Sequence, residues 1–332
     1  MANLPEIASL WIGGNLSWLE QLCLKSFADQ GHHITLYSYE PISNLPEGVH
    51  AGDAEAIYPS EPMYRHAVTG SPAIHADFWR MRLLQKTNKI WVDADVLCYR
   101  PFDYEQEHVF GWEKKNLVCN AVLGLPKDSP TLVKMIEFFE DPYAIGPWLK
   151  PHQQAELEAE RDKGHPVHMT QQEWGFTGPK AVSWFLKQTG EIEAAQDASA
   201  FYAKTFKDRN HFILSRHTPE DSFTDATRGV HLWARRLKPR LRDAEDNKPR
   251  RGSFLDRMLS KHEIDRKAAP IPAKQVKLFG NSDDPRFRAM LAIEALKDDE
   301  PIAQLAKNNN VETKDIREWR AQLVSNAAKL FQ

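Results

Sequence analysis

Over roughly the first 235 residues, short apolar runs alternate with segments of helical periodicity, and this alternation limits the chain to an α/β fold with a largely parallel or mixed sheet. Residues 6–12 read as a strand that stops at Gly13-Gly14. Ser17 and Glu20 have the spacing of a capping box for a helix that ends near Gly31. A second strand is expected over 33–39. Ser71-Pro72 then opens a helix running to about Lys86, with the proline in its first turn. Lys89–Val92 is a short strand leading into two aspartates. Further on, 117–124 reads as a strand and Ser129-Pro130 begins a helix to Phe139. Gly178-Pro179 begins another to Lys187, with Gly190 as its stop, and 212–215 and 230–233 are the last strand candidates.

With 332 residues, of which 42% are hydrophobic and ten are tryptophan, the chain can bury one large core with a smaller unit beside it. A formal net charge of −3 excludes bulk nucleic-acid binding driven by overall charge. Three cysteines (Cys23, Cys98, Cys119) without a C-x-x-C spacing read as buried, reduced thiols rather than a disulfide frame or zinc site. No signal-peptide pattern opens the sequence, and no apolar run approaches membrane-spanning length. The expected location is cytoplasmic, with a peripheral contact at the inner membrane face left open.

After residue 235 the composition changes. Residues 236–284 are basic, contain Pro270 and Pro272, and read as a linker with at most one short helix around 254–261. Residues 285–332 regain helical spacing through Leu291, Ala295, Ile302, Leu305, Ala306, Ile316, Trp319 and Leu323, which implies three short helices packed on one another.

The chemistry is concentrated at Asp93-Ala94-Asp95. Two carboxylates one residue apart, just past an apolar strand, can reach one divalent cation through hard oxygen ligands. Ligands of open α/β sheets bind outside the carboxyl ends of the strands, where this pair falls. Alone, such a pair is also common in solvated turns. Asp77 and Arg80 strengthen it, because they lie three apart on one face of the preceding helix.

The stretch Ala76-Asp77-Phe78-Trp79-Arg80-Met81-Arg82-Leu83-Leu84, followed by Ile90-Trp91-Val92-Asp93-Ala94-Asp95-Val96, resembles the signature of sugar transferases with a DXD motif. That group includes transferases of the yeast-mannosyltransferase and globoside-synthase type and the catalytic domains of clostridial glucosylating toxins. The resemblance implies a Rossmann-like, glycosyltransferase A-type fold over residues 1–235. It also implies Mn²⁺ (or Mg²⁺) as cofactor and a nucleotide-sugar donor, a UDP-sugar ahead of a GDP-sugar. Asp95 would ligate the metal, Asp93 the metal and the ribose, and Asp77 and Arg80 the donor sugar or its phosphate; these four are the candidate catalytic residues. Trp11, with Gly13 and Gly14 letting the backbone approach closely, is similar to the opening strand that stacks a uracil. Asn120-Ala121, Thr177-Gly178-Pro179 and His231-Leu232-Trp233 resemble later blocks, so Asn120, His231 and Trp233 join the donor site and His231 becomes a third candidate metal ligand. In place of the family's two glycines and tyrosine before the aspartates stands Thr87-Asn88-Lys89-Ile90-Trp91, where Asn88 is the residue best suited to a left-handed turn.

The last 45 or so residues resemble the helix-turn-helix of insertion-sequence transposase subunits. Between 285 and 332, however, eight basic residues are nearly balanced by seven acidic ones. That balance disfavours DNA binding and favours protein contact or self-association. The functional expectation is therefore a retaining, metal-dependent glycosyltransferase of the polysaccharide-biosynthesis kind. Its acceptor would be a hydroxyl of a glycan, a lipid-linked saccharide or a protein. The alternative is a DNA-associated regulator whose first domain only binds a nucleotide sugar. A metal nuclease would need more clustered acids and surrounding cations than the sequence holds.

Overall fold

A computed structural model describes residues 4–67, 69–173, 175–272, 282–297, 301–327 and 329. They divide into two compact units: one holds the residues up to Tyr64 together with Ala73–Pro272, and the other holds Arg65–Pro72 and the residues from 273 onward.

The first unit opens with β1 (Ile7–Trp11), α1 (Trp18–Asp29), β2 (Ile34–Ser38) and β3 (Val49–Asp53), followed by α2 (Ala73–Lys86) and β4 (Ile90–Val92). A short β5 (Val96–Cys98) precedes the β6 (Val109–Lys114) and β7 (Leu117–Gly124) hairpin. Then come α3 (Pro130–Glu140), α4 (Pro151–Asp162), α5 (Pro179–Thr189), β8 (Gly229–His231), α6 (Ala234–Ala244) and α7 (Phe254–Lys261). The main sheet has six strands in the order β3-β2-β1-β4-β7-β6. β3, β2, β1 and β4 are parallel, β7 runs antiparallel to β4, and β6 antiparallel to β7. The fold is thus the expected mixed α/β architecture. Its inner strands are apolar on both faces because helices cover both sides.

β5 and β8 form a second, two-stranded antiparallel sheet in which Val96 pairs with His231. This pairing brings His231 beside Asp95, 136 positions earlier, and builds half of the site described below. Glu20 reaches back to the backbone N–H and hydroxyl of Ser17 at the start of α1, as its spacing predicts.

Several local expectations are corrected. Asn88 keeps a negative φ. The chain turns there through the Thr87 hydroxyl, which donates to the Leu83 carbonyl and accepts from Lys89 N–H, so a side chain does the work expected of a left-handed backbone. Residues 209–212 form a 3₁₀ turn rather than the start of a strand over 212–215. Phe212, Ile213 and Leu214 are buried against helices instead of pairing with a strand. Most of the stretch expected as a linker is folded: α6 and α7 bury Leu237, Leu241, Phe254, Leu255 and Leu259 in one cluster with Trp18, Leu19 and Leu22 of α1. The apolar pair Leu237 and Leu241 has helical spacing, but seven arginines and lysines between 235 and 250 hide it in the sequence.

The second unit contains α8 (Pro285–Lys297), α9 (Ile302–Asn308) and α10 (Thr313–Ala327). Phe287, Leu291, Ala295, Leu305, Ala306 and Ile316 form its core, with Ile302, Val311 and Trp319 packed around them. No described helix is long and apolar enough to cross a membrane.

Candidate functional site

A cavity of about 440 Å³ opens beyond the carboxyl ends of β1 and β4. Its lining includes Trp11 at the end of β1, Asp77 and Arg80 on α2, Asp93 and Asp95 past β4, and Asn120 from β7. Gly178, at the start of α5, and Arg235 and Lys238 of α6 complete its walls.

Asp77 is the buried hub of one wall, 8% exposed. Its Oδ1 accepts from Arg80 (2.9 Å) and from the Asn120 amide (3.0 Å), and its Oδ2 from the Thr177 hydroxyl (2.7 Å). Three elements far apart in sequence converge on that single carboxylate. Burial pushes its pKa up, and Arg80 and its hydrogen-bond donors offset only part of that cost. Arg80 also reaches Asp93 Oδ1 at 3.0 Å and lies 4.5 Å over the Trp91 ring. Its guanidinium is therefore committed to two carboxylates and an aromatic face. That geometry suits a residue that orients Asp93.

The second wall centres on Asp95. Its Oδ1 lies 3.3 Å from His231 Nε2, and its Oδ2 accepts from the backbone N–H of Ala234, the first residue of α6, at 2.7 Å. Trp233, just before that helix, has φ 57°, a left-handed conformation that swings the chain from β8 into α6. The two acids differ in electrostatics. Burial raises the Asp93 pKa, and the neighbouring Asp95 charge adds to the rise. Burial acts the same way on Asp95, but His231 and the Ala234 N–H outweigh it and hold the carboxyl below its ordinary value. His231 is the mirror image: burial alone would lower its pKa, and Asp95 holds it well above the ordinary range.

Asp93, Asp95 and His231 each offer a ligand atom, all within 4.8 Å of one another. Two hard carboxylate oxygens and an imidazole form a donor set that suits Mn²⁺ or Mg²⁺ completed by water or substrate oxygens. Asp93 Oδ1 is occupied by Arg80 and by Trp91 Nε1 (2.8 Å), and among the described residues no donor reaches its Oδ2. That oxygen fits the role of a ligand.

Of the residues singled out from sequence, Trp11, Asp77, Arg80, Asp93, Asp95 and Asn120 line this one cavity, and His231 stands behind Asp95. Trp233 is turned away, its Nε1 donating to the Lys204 carbonyl at 2.9 Å. Gly13 shapes the strand end at φ 146° without lining the cavity, and Trp11 Nε1 closes that turn on the Gly14 carbonyl at 2.7 Å. Glu20, Arg235 and Lys238 were not singled out. Lys238 pairs with buried Glu20 and lies 5.5 Å from the Trp11 ring centre. In sequence Glu20 already had a role as a helix cap, and Lys238 was one cation among many.

No protein-family model matches the chain, and no curated protein matches it. Among solved structures it is similar to one described as "PaToxG Glycosyltransferase", at 15% identity and a TM-score of 0.37, over 57% of this chain and 71% of that one. The likeness is slight, and the functional reading rests on the site's own geometry.

Proposed function

We propose that the chain is a metal-dependent, retaining glycosyltransferase that moves a sugar from a UDP- or GDP-sugar to a hydroxyl of a glycan, a lipid-linked saccharide or a protein. The observation that carries the reading is the clustering of Asp93, Asp95 and His231 at a cavity that Trp11 also lines. An aromatic face and a cation-binding cluster in one cleft suit a ligand with a base at one end and a diphosphate at the other. Asp93, Asp95 and His231 would hold Mn²⁺ or Mg²⁺, which when bound supplies Lewis-acid neutralisation of the leaving diphosphate.

The chain's own residues divide the remaining work. Trp11 offers a stacking face for the base, with the Lys238 ammonium over the ring at 5.5 Å from its centre. Arg235 and Lys238 stand where negative charge would gather on the departing group. Asp77, held by Asn120, Thr177 and Arg80, sets the orientation of Arg80 and through it of Asp93. The second unit serves protein contact or self-association, a reading supported by Ile293, Leu296 and Val324, which stay exposed on its surface.

The test incubates purified protein with Mn²⁺ and a panel of nucleotide sugars and follows release of free nucleoside diphosphate. Wild type should hydrolyse one donor slowly, and Asp95→Asn should lower that rate by roughly a hundredfold or more. If no donor is bound or cleaved, or Asp95→Asn is as active as wild type, the reading is wrong.

A further inference from the structure

A surface beside the cavity is not used by the proposed chemistry. The segment 203–209, Ala-Lys-Thr-Phe-Lys-Asp-Arg, runs between buried Tyr202 and the 3₁₀ turn at 209–212 and presents Phe206 to solvent at 41% exposure. A single exposed aromatic is ordinary on a protein surface, so Phe206 gains meaning only from how it is held and what surrounds it. Here the loop is tied down. Trp233 Nε1 donates to the Lys204 carbonyl (2.9 Å), and Arg209 donates through Nη1 to the Phe206 carbonyl (2.7 Å) and through Nε to the Arg236 carbonyl (3.3 Å). The Thr205 hydroxyl donates to Asp208 Oδ2 at 2.7 Å, and the Phe206 ring rests edge-on to Trp233 with 6.4 Å between centres. Phe206 is thus held outward by a rigid frame.

The charge around it is mostly positive, with Asp208 the one acid in the segment 203–209. Lys204, Lys207, Arg209, Arg216 and Arg236 form no ion pair among the described residues, whereas others of this unit, such as Arg228, Arg240 and Arg257, do. Lys204, Arg216 and the stacked His211 and His217 rings, 3.9 Å between centres, share one field. His217 is held below its ordinary pKa by desolvation and by repulsion from His211, Arg216 and Lys204. The patch also adjoins the cavity, since Ala234 and Arg235 line it and Arg236 follows them on α6.

We infer that Lys204, Phe206, Lys207, Arg209, Arg216 and Arg236 form a docking face for an anionic lipid bilayer, with Phe206 entering the headgroup layer and the cations meeting lipid phosphates and carboxylates. One outward aromatic ringed by cations with long aliphatic stems is the chemistry of interfacial anchoring. A single-stranded nucleic acid would call for several stacking faces along a groove, and this face has one, at the tip of a loop. The inference goes beyond the transferase reading and stands without it.

The full chain is sedimented with phosphatidylcholine vesicles and with phosphatidylcholine–phosphatidylserine vesicles. Binding is expected only to the second kind, and it should weaken as salt rises. Each cation near an anionic surface contributes about 1 kcal/mol, so Lys204→Gln with Lys207→Gln should weaken binding about thirtyfold. Phe206→Ser should weaken it further without restoring binding to neutral vesicles. All three positions lie at the surface, so melting temperature and donor hydrolysis should stay at wild-type values and show that the variants are folded. Absence of binding to the anionic vesicles overturns the inference, as does equal binding to neutral ones or an unchanged affinity in the variants. A single-stranded oligonucleotide that binds more tightly than the vesicles, through the same residues, also overturns it.

Discussion

Glu191 offers a test of the scaffold behind the site, because its environment fixes both the size and the sign of the effect. The carboxylate sits just after α5 and caps α3: its Oε2 accepts from Thr131 N–H (2.8 Å) and from the Ser129 hydroxyl (2.9 Å), and its Oε1 meets His108 Nε2 at 2.9 Å. Burial alone would raise its pKa. The donors from His108, Thr131 and Ser129 prevail and bring it from an ordinary 4.5 to about 2. Its side chain is only 12% exposed, so solvent screens little of this. A drop of that size corresponds to about 3 kcal/mol of stability at neutral pH. Because the folded-state pKa is depressed, the contribution is fully present above pH 4.5 and is lost as the pH falls from there toward 2. Glu191→Gln keeps an oxygen for Thr131 N–H and removes the charge. The variant should lose about 3 kcal/mol in urea unfolding at pH 7, and the gap to wild type should close progressively below pH 4.5. A gap under roughly 0.5 kcal/mol at pH 7, or one that stays constant from pH 7 to pH 3, would refute the reasoning.

Two substitutions probe the cavity walls. Thr177→Val keeps the shape of a side chain that is 1% exposed and removes the donor to Asp77 Oδ2. It should cost about 1–3 kcal/mol and lower the melting temperature by a few degrees, with an unchanged melting curve showing that Asp77 does not depend on that bond. Trp11→Leu removes the stacking face and should weaken binding of a free nucleoside diphosphate about ten- to a hundredfold in calorimetry. Equal affinity in that variant would move the base away from Trp11.

The sheet and the aspartate cluster were legible because each left a periodic or local trace. β1, β2, β4 and β7 are apolar runs, and Ser17 with Glu20, Ser129 with Pro130, and Gly178 with Pro179 mark helix starts that the structure reproduces. Long-range pairing was less visible. That β5 would pair with β8 and place His231 against Asp95 follows from tertiary packing, and no spacing in the sequence encodes it. β3, with its exposed His50, Ala51 and Asp53, lacks an apolar run, and α4 buries none of its residues, so neither carries a core signal. α6 was read as linker because its basic residues outnumber the two leucines that seat it. The helix spacing places Arg80 and Asp77 on one face, and the family resemblance assigns them to the donor. The structure shows their polar atoms engaged largely with each other, Asp93, Asn120 and Thr177, a hub that spacing on one helix could not reveal.

The cavity wall carries four carboxylates, Glu20, Asp77, Asp93 and Asp95, against three cations, Arg80, Arg235 and Lys238. With His231 against Asp95 held in its cationic form, the formal charges of the wall and the cluster behind it cancel before any ion enters, so a diphosphate approaching it meets no net attraction. One divalent cation would make it positive. Under the proposed function, the cation would therefore enter before the anionic ligand.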